Sequence, residues 1–79
     1  MEYDFNIIET VKHSFTINEK GIYKWEMGYH HHNYDLSNDE LHLIDRCGGY
    51  DGIMRFLRTS SYSDRKEFDG GIELINIEP

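Results

Sequence analysis

Apolar and polar residues alternate along Tyr3-Asp4-Phe5-Asn6-Ile7, the period of two expected of a strand with one face in a core and the other in water. The alternation fails from Ile8 to Val11, which marks a bulge or the end of that strand. It resumes in His13-Ser14-Phe15-Thr16-Ile17 and again, after the turn-like Asn18-Glu19-Lys20-Gly21, in Ile22-Tyr23-Lys24-Trp25-Glu26-Met27-Gly28-Tyr29. The two runs predict a β-hairpin, with Gly21 free to adopt a positive φ. Phe15, Ile17, Tyr23, Trp25, Met27 and Tyr29 form the expected inward set, and Lys24 and Glu26 are expected to point outward.

A polar stretch from His30 to Asp35 precedes Leu36-Ser37-Asn38-Asp39-Glu40-Leu41, where the pattern changes from period two to helical spacing. Ser37 and Glu40 have the spacing of a capping box, in which each side chain satisfies a backbone N–H that the first helical turn leaves free. Asp39 and Glu40 suit the positive end of the helix dipole, and Leu36 is placed to staple onto Leu41. The predicted helix buries Leu41, Ile44 and Cys47 and stops at Gly48-Gly49, where glycine permits a left-handed cap. Residues 51–58 read either as a second helix capped by Asp51 or as a strand, and the helix is preferred. Ser60 to Lys66 reads as a polar loop, Phe68-Asp69-Gly70-Gly71 as a turn, and Ile72-Glu73-Leu74-Ile75-Asn76-Ile77 as a final strand rich in β-branched residues. The expected fold class is therefore α+β in one domain over residues 1–79. It has a small antiparallel sheet of three or four strands, with one or two helices on one face, in the order β-β-α-(α)-β.

Size narrows this further. A chain of 79 residues buries roughly 63% of its unfolded surface, so its core is thin. Six Tyr, four Phe and one Trp can fill such a core with few side chains, and they set the chain apart from disordered sequences of similar charge. Cys47 has no cysteine to pair with, which fits a reducing compartment. With acids opening the chain and no long apolar run, the expectation is a cytoplasmic protein without signal peptide or membrane span.

Fifteen acids against eight bases give a net charge of −7, and that sign disfavours a direct grip on nucleic acid, whose phosphates are held by Lys and Arg. Nine of the acids fall in the first 45 residues, beside only three lysines. Three chemical constellations compete with a purely surface role. His30, His32 and Asp35 could ligate a metal, although three adjacent histidines cannot all converge on one ion. Cys47 could be a nucleophile with His42 or His13 as base, but its place at a helix C-terminus disfavours the thiolate. The glycines fall where turns are needed, and no phosphate-binding loop is present. No cofactor is expected, and catalysis is not, because so short a chain has little material with which to wall a deep cleft.

The surface remains. Glu2, Asp4, Glu26, Asp35, Asp39, Glu40 and Asp45 form a continuous negative patch if the helix packs beside the hairpin, with Tyr29 and Tyr34 supplying contact area. Such a surface suits a basic patch on a host or phage protein, including a nucleic-acid-handling enzyme whose groove carboxylates can occupy in place of phosphates. A homodimer is a further arrangement that the arginines of the second half allow. In general profile, short, acidic and rich in Ile, Asn and Tyr, the chain resembles the small inhibitors that phages make against host defence, such as anti-CRISPR and anti-restriction proteins. That resemblance implies an inhibitor or adaptor and carries over no residue. A regulator that binds metal or a small ligand through residues 30–35 is the alternative.

Overall fold

A computed structural model describes residues 1–26, 30–31 and 36–78. Among the described residues, six antiparallel strands, β1 (Glu2–Ile8), β2 (Lys12–Asn18), β3 (Gly21–Glu26), β4 (His30–His31), β5 (Arg65–Phe68) and β6 (Ile72–Asn76), lie in the order β4-β3-β2-β1-β6-β5. Two helices, α1 (Asn38–Arg46) and α2 (Gly49–Thr59), come between β4 and β5. The α+β class is as expected, but the sheet is larger than three or four strands. Five strands have four residues or more, and β4 adds a two-residue edge. The strands that sequence reasoning lacked are the two-residue β4, inside a stretch read as polar, and β5, read as loop to Lys66 and as turn from Phe68. The residues of β5 are exposed and charged except for half-buried Phe68, so no apolar alternation reveals it. Pairing with β6 around the left-handed Gly70 (φ 85°) and Gly71 (φ 76°) defines it instead.

Turn length sets the register of the first three strands. A two-residue turn places Asn18 opposite Gly21, so Ile17 faces Ile22, Thr16 faces Tyr23, and Phe15 faces Lys24. Lys24 therefore shares the helix-covered face with Phe15 and Ile17, and Tyr23 lies on the other face, the reverse of the expected phase. A shift of one residue exchanges the two faces of a strand. Met27 and Tyr29, expected inward as well, lie outside the described residues.

The core forms where the helices cover the sheet. Phe5, Ile7, Phe15, Ile17, Ile72 and Leu74 project from the strands and meet Leu43, Ile44, Cys47, Ile53, Met54 and Leu57 of the helical layer. Helix α1 starts as expected: Ser37 Oγ accepts from the Glu40 N–H at 3.2 Å, and Glu40 Oε1 accepts from the Ser37 N–H at 2.9 Å. The buried stripe is rotated from its expected position. Leu43 replaces Leu41 in the core, and Leu41 stands 51% exposed. Helix α2 confirms the preferred reading of residues 51–58, although its N-cap is left-handed Gly48 (φ 101°), not Asp51. Gly48 serves both helices, closing one and opening the next, and a Cβ there would meet the Gly52 Cα at 3.2 Å.

Polar residues stitch the layers together. Buried Asn76 donates to Ser60 Oγ at 2.8 Å and accepts from the Glu78 N–H at 2.8 Å, tying β6 to the end of α2. Tyr50 reaches from α2 to the Asn18 carbonyl at 2.6 Å. On the helix-free face of the sheet, Thr16 donates to Asp4 at 2.7 Å and Ser14 to Asn6 at 2.8 Å, forming a ladder of cross-strand pairs. Among the described residues, no helix is long and apolar enough to cross a membrane.

Candidate protein-binding surface

Helix α1 buries Glu40, Leu43, Ile44 and Cys47, so helical spacing turns Asn38, Asp39, Leu41, His42 and Asp45 toward solvent. Beside it runs the three-residue turn that joins Ile8 to Lys12. Arg46 locks the two together, with its Nη1 3.5 Å from Glu9 Oε2 and its Nη2 donating to the Asp69 carbonyl at 3.1 Å. Between helix and turn lies a concavity of about 550 Å³ walled by Glu9, Thr10, Val11, His13, Asp39, His42, Leu43 and Arg46. A second, shallower hollow of about 400 Å³, formed by Asn38, Leu41, His42 and Asp45, shares His42 with it.

Two of the largest exposed apolar side chains belong to this surface, Val11 at 61% and Leu41 at 51% exposure. They stand among acids. Asp39 and Asp45 are exposed on α1, and Glu9 is engaged by Arg46. Apolar knobs flanked by charge have the composition of a docking surface, in which a desolvated centre contributes affinity and the charged groups contribute steering.

Glu40 plays a different part from its neighbours. Only 4% exposed, it lies 3.6 Å from Lys24 Nζ and 3.8 Å from His13 Nδ1 in addition to closing the capping box. Burial pushes the pKa of its carboxyl up, but the Ser37 backbone and hydroxyl, Lys24 and His13 together outweigh burial and hold it below 4.5. This carboxylate is a structural clamp, with no free edge to offer a partner.

The expected acidic patch is thus divided. Glu2 and Asp4 fall on the helix-free face of the sheet, since they alternate with core-facing Tyr3 and Phe5, whereas Asp39 and Asp45 lie on the helical layer. Glu26 is described only as a strand position in β3, paired with His30 of β4. Tyr29, Tyr34 and Asp35 lie outside the described residues, as does His32 of the expected metal set. Among the described residues, no group of three His, Cys, Asp or Glu side chains is placed to hold a metal ion. Sequence reasoning does not single out Val11, assigns Leu41 to the core and considers His42 only as a base for Cys47; all three lie on this surface. The signal for Leu41 was its neighbour: once Glu40 is committed to the inside, Leu41 is turned away.

Cys47 packs in the core at 2% exposure, and burial, only partly offset by Arg46 and Lys66, lifts its thiol from 9.0 to about 11. At pH 8 about one molecule in a thousand then carries the reactive thiolate. Iodoacetamide at that pH is expected to label the native protein far more slowly than the same protein in concentrated urea; equal rates would show an accessible, activated thiol.

Comparison with protein-family models, with characterised proteins and with solved structures finds no match to this chain.

Proposed function

We propose that the chain acts by docking on a partner protein, as an inhibitor or adaptor, through the surface that α1 forms with the β1–β2 turn. The observation that carries this reading is that exposed Val11 with Asp39, and exposed Leu41 with Asp45, line two neighbouring hollows that share His42. A complementary partner presents lysines or arginines around an apolar socket. With a net charge of −7 the chain is drawn to such a surface over roughly a Debye length, about 8 Å at physiological salt.

The narrower form of the proposal is a phage-type counter-defence protein that blocks a nucleic-acid-handling enzyme by standing in for its phosphates. The division of the acids means that Glu2 with half-buried Asp4, or exposed Asp39 with Asp45, would line one phosphate track, and not all four together. Binding through apolar knobs flanked by charge needs only the α1 pair, and it is the form that the geometry supports better.

The test is charge reversal on α1. Asp39→Lys combined with Asp45→Lys is expected to weaken capture of the partner about tenfold or more and to flatten its dependence on salt. A charge-matched control, Glu67→Lys with Glu78→Lys, is expected to have little effect. Equal loss from both pairs would reduce the interaction to net charge and remove the surface from the account.

A further inference from the structure

The bases of the second half of the chain fall into two groups. Arg46 is held by Glu9 and the Asp69 carbonyl, Arg65 pairs with Glu73 at 3.2 Å, and Lys66 lies 5.2 Å above the Phe68 ring. Arg55 and Arg58 are different. Both are exposed on α2, and among the described residues neither has an ion pair or a hydrogen bond from its side chain, in a chain with fifteen acids to offer. Helix dipole compensation accounts for one of them, because Arg58 is in the last turn, where a cation is favoured. It does not account for Arg55, a turn earlier.

The two arginines line one groove of about 430 Å³ along α2, together with Tyr50, Asp51, Met54 and Thr59. Spacings of three and four along a helix put these residues on one face. The floor is fixed: Met54 is buried, and Tyr50 is anchored through its hydroxyl to the Asn18 carbonyl. The walls carry two guanidinium groups and the carboxylate of Asp51, a local balance of one positive charge. A guanidinium fork matches a carboxylate in two parallel hydrogen bonds, and the Tyr50 and Met54 floor offers apolar contact beside it.

We propose that this groove is a second docking site, which takes a protein segment carrying a carboxylate next to an apolar side chain. The single net positive charge fits a singly charged carboxylate better than a doubly charged phosphate, which Asp51 repels more strongly. The overall charge of −7 works against long polyanions, so nucleic acid and anionic membranes are poor occupants. A chain that engages a basic surface through α1 and an acidic segment through α2 joins two partners. The inference thus goes beyond the docking reading given for α1 and does not depend on it.

The test uses the 15N-labelled full chain and two probes, the peptide acetyl-Leu-Glu-Leu-amide, with its single carboxylate, and inorganic phosphate, followed through backbone amide shifts. The peptide is expected to move the amides of Tyr50, Asp51, Met54, Arg55, Arg58 and Thr59 in a saturable way, with phosphate binding more weakly. Arg55→Ala with Arg58→Ala removes no ion pair or side-chain hydrogen bond among the described residues and, apart from the small dipole contribution of Arg58, is expected to leave the remaining spectrum in place while weakening the peptide about tenfold. Asp39→Lys with Asp45→Lys is expected to leave peptide binding intact, which separates this site from the α1 surface. Peptide shifts spread evenly over all basic residues, shifts unaltered in the arginine variant, or tighter binding of phosphate would each overturn the proposal.

Discussion

Phe15→Ala is expected to leave the protein largely unfolded at room temperature, or to lower its melting temperature by about 15–30 °C. Phe15 is fully buried at the centre of the sheet and stacks on Phe5 with ring centroids 5.3 Å apart. Removing a buried aromatic ring costs about 3–5 kcal/mol, because the surroundings close only partly over the cavity. A domain of 79 residues has a total stability of about 4–12 kcal/mol, so this one ring is a large fraction of it. The thin core makes the effect severe, since few other layers can redistribute the loss. Urea unfolding followed by tryptophan fluorescence measures it, with Tyr62→Ala as the contrast. Tyr62 is 63% exposed, and its loss is expected to shift stability by about 0.5 kcal/mol or less. Similar midpoints for the two variants would contradict the placement of the core.

Glu40→Ala is expected to cost about 2 kcal/mol at neutral pH, through two separable losses. The first is the acceptor for the Ser37 N–H at the start of α1. The second is the anion facing Lys24 and His13, left without it beside the core. Because the folded carboxyl titrates below 4.5, its contribution is fully present above that pH and fades as the pH falls through the lowered value. Wild type and variant are thus expected to converge in stability in acid. Glu40→Gln, which retains a hydrogen-bond acceptor but not the charge, is expected to recover part of the loss. A difference between wild type and Glu40→Ala that grew on acidification would contradict the assignment of Glu40 as an ionised clamp.

Glu40 also shows what was legible in the sequence and what was not. Its capping role follows from a local rule, four residues read in order, and the structure contains both expected bonds. The left-handed glycine at the end of α1 and the final strand were legible for the same reason, because short-range chemistry decides them. The phase of β3 was not read correctly. Ile22 and Lys24 alternate with Tyr23 and Trp25, and either set looks able to face a core. The turn decides the matter, since a two-residue connection fixes Asn18 opposite Gly21 and every pair after it. Lys24 can occupy the inward face because Glu40, from a helix fourteen residues further along the chain, waits there with a negative charge. No window along the chain contains that information.

The docking surface was half legible. Asp39 and Asp45 were found as helix surface acids, while Leu41 was assigned inward because leucine near a staple position usually packs. The carboxylate of Glu40 competes for that side of the helix and wins through the Ser37 and Lys24 contacts, which rotates the buried stripe by about one position and leaves Leu41 outside. Val11 was invisible for a different reason. It belongs to a three-residue turn that lies beside α1 and is tied to it by the Arg46–Glu9 bridge, between residues 37 positions apart in the chain.

The central claim, that Leu41 and its neighbours meet a partner, is tested most directly by position-specific photo-cross-linking. A benzophenone side chain is placed at residue 41 in one sample and at residue 67, on β5, in another, and each is irradiated in lysate of the source cell. The account predicts an adduct of defined mass from position 41, absent from position 67 and lost when Asp39→Lys and Asp45→Lys are added. Adducts from position 67 alone, or an adduct from position 41 that survives the charge reversal, would contradict it.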